Sequence, residues 1–275
     1  AAQAGVKGVS TDKPIEARLS DVDAMVDECE ERGVLFAGGN LQRAMGEVQE
    51  AARWLRAGDY GPLRGASVHN WGGEISGGGC QHIAVLRLFT HAEITEVIAW
   101  GHPQEALESV EDTGLVINGQ FQLSNGLSCP VFGSASDRKG VAVWSDDALI
   151  SWDWDPPTIF QGFDDKGARI AVDRPYTPLE YPRFSYLGTS ILSFLDVLEN
   201  GGELYVSGHD LRQSLEAAIA AKYSALWGSV PLKLPLQDRS LTLYPRPYRW
   251  LGGDHDDRVQ TVEEALEGQL FPRTS

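Results

Sequence analysis

Residues 4–14 read AGVKGVSTDKP, and this stretch decides how the rest of the chain is read. Ala4 to Ser10 has the pattern of a helix end followed by a short strand, and Ser10-Thr11-Asp12-Lys13-Pro14 is a Lys-Pro turn that stops it. Ser20 then opens an amphipathic helix. A strand that ends in such a turn and feeds a helix belongs in the middle of a doubly wound α/β domain. The expectation is therefore a chain that joins that fold halfway through.

Working outward, Ser20 and Asp23 have capping-box spacing. Val22, Met25, Val26 and Cys29 recur at helical spacing until Gly33 supplies a stop. Val34-Leu35-Phe36-Ala37 is an apolar run, hence a buried strand, ending at Gly38-Gly39-Asn40. Met45, Val48, Ala52 and Leu55 mark a second helix, with Gly58 beyond it. Strand, helix, strand, helix is the parallel α/β order. The texture changes after Gly61-Pro62. A strand is expected near 63–71, and Gly77-Gly78-Gly79 opens a short apolar helix through Ile83, Leu86 and Phe89. Strand-like segments follow at 95–100, 115–123, 128–134, 140–144, 148–154, 158–163 and 168–172, with Asn125-Gly126 and Asp146-Asp147 as turns between them. Two helices come next, near 184–199 and from Ser207, where Asp210 repeats the capping spacing, to about 227. The fold expected is a partial doubly wound α/β unit over 1–63, then an open, mainly antiparallel sheet over 64–275 with both late helices on one face. The tail from Gly228 is expected to wrap the surface, with one short helix at 262–268.

The 275 residues carry 23 Lys+Arg against 39 Asp+Glu, a net charge of −16, which excludes polyanionic partners such as nucleic acid and anionic membranes. No apolar run approaches the roughly 18 residues that cross a bilayer. Cys29, Cys80 and Cys129 are odd in number, far apart and without a C-x-x-C pair, as for free thiols in a reducing, cytoplasmic setting. No signal-peptide pattern opens the chain, nor does a Met. The six histidines lack metal-ligand spacing, and Asp254-His255-Asp256-Asp257 reads as a solvated loop. No G-x-S-x-G occurs. Trp152-Asp153-Trp154 alternates like a strand packed on one face, and Asp164-Asp165 reads as a turn, not a carboxylate dyad. Trp144, Ile150, Trp152 and Trp154 are expected on strands that form an exposed sheet face, and hence a homo-oligomer built through the open sheet.

In order, these landmarks resemble the glucose–fructose oxidoreductase / inositol dehydrogenase (Gfo/Idh/MocA) family. Asp12-Lys13-Pro14 stands where its members carry Glu-Lys-Pro, NLQRAMGEVQEAARWLRAGDYGPL resembles the next helix and linker, and FLDVLENGGELYVSGHDLRQSLEAAIAAKYSA resembles the late helix–turn–helix. The resemblance implies a Rossmann domain followed by an open-sheet domain. It also implies NAD or NADP as cofactor, and a sugar, polyol or related hydroxy compound as substrate. It places Lys13 beside the nicotinamide and the reacting hydroxyl, where an ammonium stabilises an alkoxide-like oxygen. Pro14 and Asn40 would lie along the cofactor. Taken alone, Lys13 reads sooner as a solvated turn residue with Pro14 starting a helix.

Two departures stand against that pattern. No G-x-G-x-x-G occurs, so the pyrophosphate-binding half of the Rossmann domain is not in this sequence, and the chain alone is expected to bind a dinucleotide poorly. After Gly77-Gly78-Gly79 the family's Asp-x-Gly-x-His is replaced by Cys80-Gln81-His82. His82, with Gln81 beside it, is the proton-transfer candidate, against a second reading as a polar residue at a helix start. Two further readings follow: a binding or oligomerisation module that has lost the cofactor, or a fragment of a longer dehydrogenase.

Overall fold

The structure is a computed structural model and describes residues 1–39, 41–134, 138–177 and 186–245. Asn40, the helix expected at 262–268 and the acidic run at 254–257 lie outside them. The first unit is small. Strand β1 (Gly8–Thr11) pairs in parallel with β2 (Leu35–Gly38) through the crossover helix α1 (Leu19–Glu31). A short 3-10 turn (Gln42–Ala44) and helix α2 (Gly46–Ala57) follow. Leu19, Val22, Val26 and Cys29 form the buried stripe of α1, at the spacing read from the sequence.

The α1 start differs from expectation. Arg18 is the N-cap and makes no side-chain cap bond. The amides of Leu19 and Ser20 are taken by the carbonyls of Leu241 and Arg239, and Ser20 lies inside the helix instead of at its cap. Asp23 instead binds Arg239 with both oxygens, at 2.7 Å each.

The second unit is a nine-stranded sheet. Its strands are β3 (Gly65–His69), β4 (Ile94–His102), β5 (Val116–Leu123), β6 (Ser128–Phe132), β7 (Gly140–Trp144), β8 (Ala148–Trp152), β9 (Thr158–Phe163), β10 (Arg169–Val172) and β11 (Leu232–Lys233). They run in the order β10-β9-β8-β7-β3-β6-β5-β4-β11. Every pairing is antiparallel except β3 with β6. Helix α3 (Cys80–Thr90) packs behind β3 and β7, and helix α6 (Gly208–Leu226) behind β4 and β5. The short α4 (Gln104–Glu108) sits against α6 and β4. All residues of α3 are buried, which explains its apolar character around the whole circumference. Gly79 is required at its start: a Cβ there would stand 2.5 Å from the Ile75 carbonyl and from Trp71 Nε1.

Two expectations are corrected here. Helix α5 (Tyr186–Asn200) does not lie on the large sheet. It packs on the two-stranded unit: Phe194 and Leu198 fill the space beside Gly8, and Ser190 Oγ donates to the Gly38 carbonyl at 2.9 Å. Only α6, of the two late helices, covers the large sheet, because its buried stripe faces β4. Ile150 and Trp152 are also not on the exposed sheet face. They are 1% and 0% exposed and point to the helix-covered side with Val141 and Val143. The uncovered side instead presents Trp100 and Phe132, which alternate with buried Ala99 and Val131.

Candidate functional site

The carboxyl ends of β1 and β2 meet. The Gly39 amide donates to the Thr11 carbonyl at 2.7 Å, which sets Gly38-Gly39 beside the turn that carries Lys13. The Lys13 amide donates to Asp12 Oδ1 at 2.7 Å, and the Lys13–Pro14 peptide is cis. Lys13 itself is partly exposed, and no hydrogen bond or ion pair holds its ammonium among the described residues. In open α/β sheets, ligands bind at the carboxyl ends of the strands, which is where Lys13 stands.

The start of α3 is tied to the same place. The Gln42 amide, just past β2, donates to Gln81 Oε1 at 2.7 Å, and both residues are buried. His82, the next residue, is 3% exposed. The rings of Trp152 and Trp154 meet it edge-on, with centroids 5.9 and 5.5 Å away, and pack on each other at 5.2 Å. Among the described residues, neither imidazole nitrogen has a partner in hydrogen-bond geometry. Burial pushes the His82 pKa down to about 4; the nearby carbonyls of Gly79 and His69 pull the other way, and the His69 side chain adds a push down. His82 is therefore a neutral imidazole at physiological pH. No hydrogen bond, ion pair or ring contact joins it to Lys13 among the described residues.

His69 ends β3 on the opposite side of the sheet, since Ala66 and Val68 point toward the helices. Its Nε2 lies 2.8 Å from Ser67 Oγ, and its ring stacks on Phe132 at 5.2 Å. The sequence reading passed over His69, and it took Trp152 and Trp154 for core or interface packing without linking them to His82. Trp154 has φ 82°, a left-handed conformation that a non-glycine residue adopts only when its surroundings hold it there. Among the described residues no group of three His, Cys, Asp or Glu is arranged to hold a metal ion. No described helix is long and apolar enough to cross a membrane.

The residues present do not fit a complete dinucleotide. Pyrophosphate binding needs close backbone approach at glycines and free amides at a helix N-terminus. The chain has no G-x-G-x-x-G, so neither the glycines nor the helix that follows them is among its residues.

No family model matches the sequence, and no curated protein matches it. Solved structures do match, most of them described as oxidoreductases or dehydrogenases and one as a repressor. An aldose-aldose oxidoreductase from Caulobacter crescentus, complexed with glycerol, superposes with TM-score 0.66 at 20% identity, over 85% of this chain and 73% of that one. An oxidoreductase from Agrobacterium radiobacter, in complex with NAD+, L-tartaric acid and magnesium, gives 0.63 at 17% identity, over 84% and 74%. A super-repressor mutant of Gal80p from Saccharomyces cerevisiae gives 0.63 at 13% identity, over 83% and 72%. At these identities the likeness is one of fold.

Proposed function

We propose that this chain carries the substrate-side part of an NAD(P)-linked oxidoreductase acting on a sugar, polyol or related hydroxy compound. The observation that carries the reading is Lys13: an ammonium with no partner among the described residues, at the carboxyl end of β1, in a fold shared with such oxidoreductases over most of the chain. Its charge would stabilise the substrate oxygen as negative charge develops there, which is the role of a preorganised cation. Pro14 and Asn40 would border the nicotinamide end of a bound cofactor. His82 is the proton-transfer candidate in this reading. Its neutral ring can accept a proton, and Gln81 holds the start of its helix against the β2 exit.

The second reading is a non-catalytic binding module. Two observations favour it: the sequence carries no glycine-rich turn for a pyrophosphate, and His82 is closed off behind two tryptophans. The repressor among the similar structures shows that the fold is not confined to proteins described as dehydrogenases.

Two measurements separate the readings. Calorimetric titration with NADH and NADPH is expected to give dissociation constants weaker than about 1 mM for this chain. Micromolar binding would show that other groups supply the pyrophosphate site. In a form that does turn over a sugar or polyol, Lys13→Met should lower turnover by about 10²–10³-fold. Full activity of that variant would remove Lys13 from the chemistry.

A further inference from the structure

A second group of ionisable side chains lies away from Lys13 and His82, under the loop that leads into α3. Asp112 is completely buried, and Glu74, Ser76 and Lys222 are almost so. The Ser76 amide donates to Asp112 Oδ2 at 2.6 Å. Among the described residues, Asp112 Oδ1 and Ser76 Oγ have no partner in hydrogen-bond geometry. Lys222, from α6, directs its ammonium at the carbonyls of Ser109 and, at 3.4 Å, Glu111. Two backbone bonds join the same segments: Gly73 N to the Leu115 carbonyl at 2.7 Å and Gly114 N to the Gly73 carbonyl at 2.8 Å. The loop then fixes the start of α3, where Trp71 Nε1 donates to the Gly79 carbonyl at 3.1 Å and Gly79 N to the Glu74 carbonyl at 2.9 Å. Two residues beyond Gly79 stands Gln81.

We propose that Asp112 is a positioning residue: protonated, it latches the loop at 71–79, and so the start of α3, onto the segment at 109–115; ionised, it releases the loop. The argument is one of solvation. A neutral carboxyl accepts the Ser76 amide on Oδ2, and its remaining O–H costs far less to bury than a full charge would. A carboxylate in the same place faces the buried Glu74 carboxylate and is opposed by Lys222, whose ammonium is turned to two carbonyls. Glu111 adds negative charge on the Lys222 side.

Burial pushes the Asp112 pKa up to about 7, with Glu74 adding to the rise, while the Ser76 amide and hydroxyl and Lys222 pull it down. The folded value lies above the ordinary 3.8, so protonation favours the latched state. That contribution is complete below about 3.8 and is lost as pH rises through about 7. Lys222 has the opposite sign and a different window. Burial lowers it to about 8, so its contribution, present above the ordinary 10.5, is lost as pH falls through about 8.

The experiment is amide hydrogen exchange at Ser76 in the intact chain, from about pH 5 to about pH 8, with protection factors corrected for the intrinsic pH dependence. Protection should fall at least about tenfold over that range, with a midpoint near neutrality. Asp112→Asn keeps an acceptor oxygen but cannot ionise, and its profile should be flat. Glu74→Gln removes the like charge and should move the midpoint to lower pH, an effect that a purely structural Asp112 would not produce. A flat wild-type profile overturns the proposal whether or not the variants fold. An Asp112→Asn profile as steep as wild type, or an unmoved midpoint in Glu74→Gln, overturns it too. The readout requires no cofactor or turnover, so its failure is distinct from a failure of the oxidoreductase reading.

Discussion

Asp210 is the point at which the two-stranded unit, α3 and α6 are clamped together, and replacing it should be among the most damaging single changes in the chain. Its side chain is 8% exposed. Oδ1 receives Arg87 Nη1 at 2.5 Å, from α3, and lies 3.3 Å from Arg43 Nη1, from the 3-10 turn after β2. Oδ2 accepts the Ser207 amide and hydroxyl, each at 2.9 Å, which closes the capping box at the start of α6. Removing one member of a buried ion pair costs about 3–5 kcal/mol, because the partner is left charged and unpaired. Losing a cap costs about 0.5–2 kcal/mol. The same carboxylate serves both, so the two are not simply additive, and Arg87 keeps its bidentate partner Glu93. Asp210→Ala should therefore lose about 4 kcal/mol, against about 1 kcal/mol for Ser207→Ala, which removes the cap alone. Urea unfolding followed by circular dichroism measures both, and a slope of about 2–3 kcal/mol/M makes the Asp210→Ala shift about 1–2 M. The pH dependence supplies a second check. Burial raises the Asp210 pKa, but Arg43, Arg87 and the Ser207 bonds outweigh it and hold the group below its ordinary 3.8. A depressed folded pKa means stability present above about 3.8 and lost as pH falls through the folded value, so the gap between wild type and Asp210→Ala should narrow in acid. An Asp210→Ala loss no larger than that of Ser207→Ala would refute the clamp.

Three further outcomes are expected. Gly140→Ala should cost about 3 kcal/mol, because φ is 86° and the new Cβ would stand 2.0 Å from the Trp152 carbonyl; Gly126→Ala, at φ 87° with open space, should cost only about 1 kcal/mol, and equal losses in urea unfolding would contradict the packing of β7 on β8. The three free thiols are all buried, and burial pushes Cys129 up to about 12, so none should react with a disulfide reagent near about pH 8 until the chain unfolds; quick labelling of folded Cys129 would contradict its burial in β6. A homo-oligomer formed through the uncovered sheet face should scatter light with at least twice the 30.0 kDa chain mass and dissociate in Phe132→Glu or Trp100→Glu, whereas a wild-type monomer at micromolar concentration would count against it.

Much of the architecture is written in short-range patterns. The Lys-Pro turn after a strand, the glycine stops at Gly33 and Gly58, the alternation of β5 and the Ser207–Asp210 box each depend on residues within a turn or two of one another. That is the range over which backbone sterics and side-chain period act, so one sequence suffices to read them. The resemblance built on their order led to a fold that the solved structures share. What the tertiary structure decided involves partners far apart in the chain. The sequence places a helix near 184–199, but only packing shows that it rests on Gly8 and Gly38 instead of the large sheet. Ser20 and Asp23 carry a capping pattern, yet Arg239 and Leu241, more than 200 residues away, supply the partners that override it. His82 becomes neutral because Trp152 and Trp154 close over it, and Asp112 is raised because Glu74 and Lys222 converge on it from separate segments. Desolvation depends on which atoms fill the space around a group, and that is a property of the folded chain, not of any local stretch of it.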